Sequence, residues 1–205
     1  MRHSIQNILW VGVFLLLFGC VTPPPRDVNN ICGIFKQYPQ WYRDSKGVEH
    51  RWHVPVPVQM AIMHQESKFD AQATPPRKKI LWFIPWKPIS TAYGYSQALD
   101  STWYLYKRST GDFLASRESF KDGVNFIGWY ASEARRKALI SPQDPRELYL
   151  AYHEGIGGYM KKTYLRKPWL MQVARKVQTR SQIYQAQLKR CQHTFANGSW
   201  YRFGL

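Results

Sequence analysis

The chain is poor in acid. Against 29 Lys and Arg stand 13 Asp and Glu in 205 residues, a formal charge of +16. Such a surface favours polyanions or anionic lipid headgroups, and does not by itself specify nucleic acid. Cysteine is scarce as well, with three residues and no CxxC pair. There is no HExxH and no Cys/His cluster, so neither a metal site nor a cofactor is expected. No period of about 20–50 residues recurs, which sets aside solenoids and propellers. No apolar run reaches the roughly 20 residues of a comfortable membrane span. Charged residues make up only 20%, too few for a disordered polyampholyte, and 16% aromatic content calls for a packed interior. The length suits one sizeable core and is short for two large domains.

The N-terminus is organised differently from the rest. Arg2 and His3 precede an apolar run from Ile8 to Phe18, the length of a secretory h-region. The run closes in Leu17-Phe18-Gly19-Cys20, which resembles a bacterial lipobox with Cys20 as the lipidated residue. The alternative is an uncleaved anchor with an incidental cysteine. Val21 and Thr22 follow without an Asp, which in the resembling Gram-negative proteins goes with outer-membrane residence facing the periplasm. Residues 1–20 are thus expected to be a lipoprotein signal peptide, 21–26 a short stiff tether, and 27–205 one domain. With Cys20 lipidated, Cys32 and Cys191 remain as an even pair. In an oxidising compartment a disulfide between them would tie the first helix to the last; two unrelated buried thiols are the alternative.

The remainder reads as helical. Apolar residues at helical spacing mark segments at 27–42, 58–68, 96–108, 116–139, after Asp144-Pro145 to Gly155, 159–163, and from Pro168 to about Cys191. Residues 74–92 break the pattern with prolines, and only 79–86 has β character. The expected fold is all-α, with one small hairpin allowed at about 77–90.

The sharpest candidate for chemistry is Glu66, in His64-Gln65-Glu66-Ser67. It follows Ile62 by four residues and Val58 by eight, so it shares their apolar helix face. Poor solvation there and the C-terminal helix dipole both raise a carboxyl pKa. A carboxyl still protonated near neutral pH is what a glycosidic oxygen needs as general acid. Two further segments follow in order: Tyr93-Gly94-Tyr95-Ser96-Gln97, a turn leading to a helix, and Ala151-Tyr152-His153-Glu154-Gly155, a helix ending at Gly.

Together the three resemble the lysozyme-like lytic transglycosylases of the SLT family, which carry a Glu-Ser helix end, a Gly-Leu-Met-Gln-like segment and an Ala-Tyr-Asn-Ala-Gly-like segment in this order. The resemblance covers roughly residues 50–165. It implies a lysozyme-like fold and cleavage of peptidoglycan glycan strands between N-acetylmuramic acid and N-acetylglucosamine. It implies Glu66 as acid and then base, and Ser67 as a hydrogen-bonding support for substrate or Glu66. Gln97 would lie near the sugar N-acetyl group, and Tyr152 would place its hydroxyl close to Glu66. Tyr93, Gly94, Ser96 and Glu154 fall within the matching substrate-binding segments. The 6-hydroxyl of the same muramic acid would close the intermediate to a 1,6-anhydro end, so only one essential carboxylate is needed.

This sequence departs from the family pattern in three places. The separation from Glu66 to Gln97 is longer than usual, Tyr95-Ser96 stand for Leu-Met, and His153-Glu154 stand for Asn-Ala. Glu154 as a second carboxylate keeps a muramidase, cutting the same bond with water, in view. An inactive wall-binding lipoprotein within an envelope secretion or wall-remodelling complex is the rival from another class. A nucleic-acid partner rests on charge alone and is not expected. The insertion at 77–87, Arg-Lys-Lys-Ile-Leu-Trp-Phe-Ile-Pro-Trp-Lys, suits a flap on the core, a groove wall or membrane contact.

Overall fold

The computed structural model describes residues 21–75, 77–80, 84–88 and 90–196, with side chains described outside 76–89 and as far as Phe195. The leader at 1–20, Cys20 included, lies outside the described residues, as do the side chains of the 77–87 segment.

Seven α-helices make up the described chain: α1 Ile31–Gln37, α2 Pro39–Trp52, α3 Val56–Ser67, α4 Asp100–Thr110, α5 Phe120–Ala138, α6 Pro145–Met160 and α7 Pro168–Ala196. A 3₁₀ turn spans Thr163–Arg166. Strands β1 Arg77–Ile80 and β2 Ile84–Pro88 pair antiparallel as one hairpin between α3 and α4. The fold is therefore all-α and lysozyme-like, with the one hairpin where the prolines interrupt the helical pattern.

The centre of the domain is α3. Its residues Val56, Val58, Met60, Ala61, Ile62 and Met63 are apolar all round, so it has no face to give to water. Every residue from Val56 to His64 is buried, and α5, α6 and α7 pack around it. The one buried amide, Gln59, donates from Nε2 to the Val54 carbonyl at 2.7 Å and the Ser45 carbonyl at 3.1 Å. Its neighbours α2 and α5 cross closely because Gly128 has no side chain. A Cβ there would stand 2.5 Å from Trp52 Cδ1 and 2.6 Å from Val48 Cγ1.

The long amphipathic helices follow the sequence periodicity. In α5 the stripe Phe120, Val124, Ile127, Ala131 and Ala134 is buried, and in α7 so are Leu170, Ala174, Val177, Tyr184 and Leu188. A second, largely aromatic cluster of Trp103, Tyr106, Phe126, Trp129 and Tyr130 joins α4 to α5. Tyr152 packs against both clusters.

Cys32 of α1 and Cys191 of α7 are disulfide-bonded, with Cα atoms 6.1 Å apart and 159 positions between them in sequence. Closing so long a loop contributes about 5 kcal/mol in the chain-entropy account.

Several element boundaries differ from the sequence expectation. The segment 27–42 is not one helix: Tyr38 takes φ −129°, ψ 76° ahead of Pro39, which ends α1 and starts α2. The helix expected at 96–108 starts at Asp100, because residues 93–98 form a turn closed by a Tyr93–Ala98 bridge. The Gly155 stop is a kink, φ 73° and ψ 152°, within α6, which runs on through Gly157 and Gly158. The short helix expected at 159–163 is replaced by the end of α6 and the 3₁₀ turn.

The expected tether at 21–26 is not a free spacer. Pro25 is buried, the Tyr38 hydroxyl donates to the Pro23 carbonyl at 2.7 Å, and the Arg26 N–H donates to Gln37 Oε1 at 3.0 Å. Thr22 hydrogen-bonds the Tyr95 side chain. Prolines lack donors of their own, so the proline stretch is held through the Pro23 carbonyl, while its flanks bind through the Thr22 side chain and the Arg26 N–H.

Candidate active site

Glu66 is the second-last residue of α3. The helix stops abruptly there, since Lys68 and Phe69 both adopt left-handed conformations, φ 53° and 64°. Non-glycine residues rarely take that conformation, so the surroundings must hold them in it. Ser67 does much of the holding. Its hydroxyl donates to the Tyr95 carbonyl at 2.7 Å and accepts from the Phe69 N–H at 3.1 Å. Ser67 is buried and ties the end of α3 to the turn at 93–98. Ser67 thus steadies Glu66 through the backbone of the helix end that carries it.

Burial raises the Glu66 carboxyl to about 7, against a hydrogen bond from Tyr149 that lowers it. None of these influences comes from a second carboxylate. The partner of Glu66 is therefore Tyr149, one helical turn before Tyr152 on α6. The Tyr152 hydroxyl donates instead to the Ser96 carbonyl at 2.6 Å, although Tyr152 lies near enough to feel the Glu66 charge. Gln65 hydrogen-bonds Tyr149 in turn. Sequence reasoning singles out Tyr152 and misses Tyr149, although the i, i+3 spacing puts both on one helix face.

The turn at 93–98 is held by many bonds. Gly94 takes φ 72°, and a Cβ on it would lie 2.2 Å from the Arg117 carbonyl oxygen. Only glycine fits there. Gln97 donates from Nε2 to the Ala73 carbonyl at 2.7 Å and to the Gly94 carbonyl at 3.0 Å. The Ser96 side chain is fully buried, and its hydroxyl has no partner among the described residues. The Tyr93 hydroxyl donates to Glu118 Oε1 at 2.5 Å.

Arg117, which the sequence did not single out, organises this turn. It donates to the Thr91 and Ala98 carbonyls, each at 3.0 Å. It also pairs with Asp100 at 2.8 Å and lies over the Tyr93 ring at 5.4 Å.

Glu154 is engaged elsewhere. Its side chain is 3% exposed and accepts from Lys167 Nζ at 2.7 Å. It also bonds Thr163 Oγ1 and contacts His153 Nδ1 at 3.2 Å. Burial would raise this carboxyl, but the bonds from Lys167, Thr163 and His153 bring it down to about 2. A carboxylate held so strongly ionised by a cation and a hydroxyl has little affinity for a proton at neutral pH, which makes it a weak base.

A carboxyl raised to about 7 by burial, with one tyrosine as its hydrogen-bond partner, has the protonation a general acid needs. Comparison with known proteins agrees with this chemistry. A family model described as Transglycosylase SLT domain matches residues 8–191. No curated protein and no solved structure gives a match. The chain belongs to the transglycosylase SLT domain family, whose activity is of the peptidoglycan lytic transglycosylase type.

Proposed function

We propose that the protein cleaves the β-1,4 bond between N-acetylmuramic acid and N-acetylglucosamine and leaves 1,6-anhydromuramic ends, with Glu66 as general acid and then base. The observation that carries this reading is the burial of Glu66 at the end of α3 beside Tyr149, which lifts its carboxyl to about 7. Such a carboxyl is about half protonated at pH 7, where an ordinary Glu is almost fully ionised, so it keeps a proton to give to a glycosidic oxygen. As the bond breaks, the muramic N-acetyl oxygen assists at C1. The Glu66 carboxylate then takes the proton of the 6-hydroxyl as the 6-oxygen attacks C1 and displaces the N-acetyl oxygen, which restores both the acid and the acetamide. The Tyr149 hydroxyl stabilises the ionised state between the two steps. No second carboxylate is called for, in keeping with the engagement of Glu154 by Lys167 and Thr163.

The reading extends to location. A diacylated Cys20 would hold the domain on the outer membrane facing the periplasm, where glycan strands are within reach, alone or in a wall-remodelling or secretion complex. The support is the Leu17–Cys20 sequence at the close of the apolar run.

The test is a digest of purified peptidoglycan by the full chain in detergent, beside Glu66→Gln, read by mass spectrometry. Anhydromuramic ends that vanish in the variant are expected. Reducing muramic ends would replace this reading with a hydrolase, and no products from a folded, wall-binding protein would replace it with a scaffold.

A further inference from the structure

A cavity of about 540 Å³ lies between α3 and α7. Its wall carries Lys68, Arg175, Lys176 and Arg180, together with His64 and Gln65, and no carboxylate. None of the four cations forms an ion pair among the described residues. The nearest polar engagement is Lys68 Nζ with His64 Nδ1 at 3.2 Å. His64 is 6% exposed, and its Nε2 has no partner among the described residues. Burial, with the charges of Lys68 and Arg180, drives the His64 pKa down to about 4. The same burial and Arg180 lower that of Lys68. Crowded cations in a concave wall repel one another, and a bound anion removes that cost.

The cavity is also wired to the catalytic carboxyl. Gln65 lines it and hydrogen-bonds Tyr149, which hydrogen-bonds Glu66. An anion held here lies two hydrogen bonds from Glu66, through Gln65 and Tyr149, which on the peptidoglycan reading puts it beside the substrate. In the wall polymer the muramic acid next to the scissile bond carries a peptide stem rich in carboxylates. We propose that this cavity is a stem-peptide site, in which Arg175, Lys176, Arg180 and Lys68 receive a stem carboxylate. The identity of the ligand rests on the peptidoglycan reading above; the presence of an anion site does not.

The test is a binding titration that needs no turnover. The full chain in detergent, as Glu66→Gln, is titrated with free stem tetrapeptide and with the same peptide amidated at its carboxylates, following the His64 imidazole by NMR. The expected result is a shift of the His64 signals with the acid peptide only. Affinity should fall about tenfold in Arg175→Gln and further in Arg175→Gln/Arg180→Gln, since one charge-assisted contact is worth about that factor. Arg175 is exposed and Arg180 half-buried on α7, away from the core stripe, so both variants should fold. Equal response to acid and amidated peptide, or no response, overturns the proposal. So does a His64 shift on addition of anionic phospholipid vesicles with none on peptide.

A second arm compares wild-type cleavage of peptide-bearing strands with that of strands stripped by an amidase. A preference for peptide-bearing strands that collapses in the double variant supports the proposal, and an unchanged preference overturns it. Peptide binding by a protein inert toward both strands would retain the site and discard the catalytic reading.

Discussion

Replacing Glu66 with Gln should stabilise the protein at neutral and alkaline pH and leave it unchanged below about pH 4.5. Glu66 stands at about 7 in the folded chain against 4.5 for an ordinary Glu. The folded state therefore holds this proton more tightly than the unfolded chain does. The stability this provides is complete below about pH 4.5 and is lost as pH rises to about 7. At 1.36 kcal/mol per pKa unit the full loss is about 3 kcal/mol, and about 2 kcal/mol after allowance for the part of the side chain that solvent reaches. Glutamine keeps an acceptor for the Tyr149 hydroxyl and carries no charge, so it escapes the loss.

Thermal melts of wild type and Glu66→Gln at pH 4 and pH 8.5 measure this directly. The two proteins should melt together at pH 4. At pH 8.5 the variant should melt higher by roughly 4–8 °C, as expected for a protein of this size. A gap of the same size at both pH values would mean that packing rather than ionisation sets the difference. No gap at pH 8.5 would mean that Glu66 is ordinarily solvated, and the proton-donor argument would fall with it.

Tyr149→Phe removes the bond that holds the Glu66 pKa down, so the alkaline limb of the pH–rate profile should move up by about one unit; an unmoved limb would remove Tyr149 from the site. Gly94→Ala should cost more than about 3 kcal/mol in urea denaturation, since its Cβ meets the Arg117 carbonyl at 2.2 Å. Gly157→Ala, with open space around it, should be neutral or slightly stabilising. Cys32→Ser/Cys191→Ser should lose up to about 5 kcal/mol, read as a lower urea midpoint. Glu154→Gln should destabilise most above about pH 4.5. That carboxyl's pKa is depressed to about 2, and its contribution fades as pH falls toward that value.

The periodic parts of the fold were legible before the structure. The stripes of α5 and α7 and the Val58–Ile62 face of α3 map onto buried faces, because burial is what the 3.6-residue pattern records. The poor solvation and raised pKa of Glu66 were legible for the same reason, since it lies on that face. What escaped was set by backbone geometry and by long-range bonds. Pro39 split an apparently continuous stripe, and Gly155 kinked a helix that its neighbours then resumed. The choice of Tyr149 over Tyr152 depends on how α6 is rotated against α3, which spacing alone leaves open. Arg117 acts mainly through carbonyls of residues 19 to 26 positions away. Such carbonyl bonding leaves no sequence motif, and in a strongly cationic chain one arginine does not stand out.

The arrangement also explains why the carboxyl with the raised pKa sits where it does. A carboxyl at the end of an amphipathic surface helix would have water on one side and an ordinary pKa. The helix that carries Glu66 has no polar side, and α5, α6 and α7 close around it. Two left-handed residues then turn the chain immediately after the carboxyl, and Ser67 fixes that turn to the Tyr95 carbonyl. The turn containing Tyr95 cannot relax, because Gly94 lies against Arg117 and the Arg117 side chain spans Thr91 and Ala98. The raised pKa is thus a property of the core as much as of the site. A cavity opened beside α3, as in Met63→Ala, would admit water behind Glu66 and lower its pKa while the residues that touch substrate stay in place.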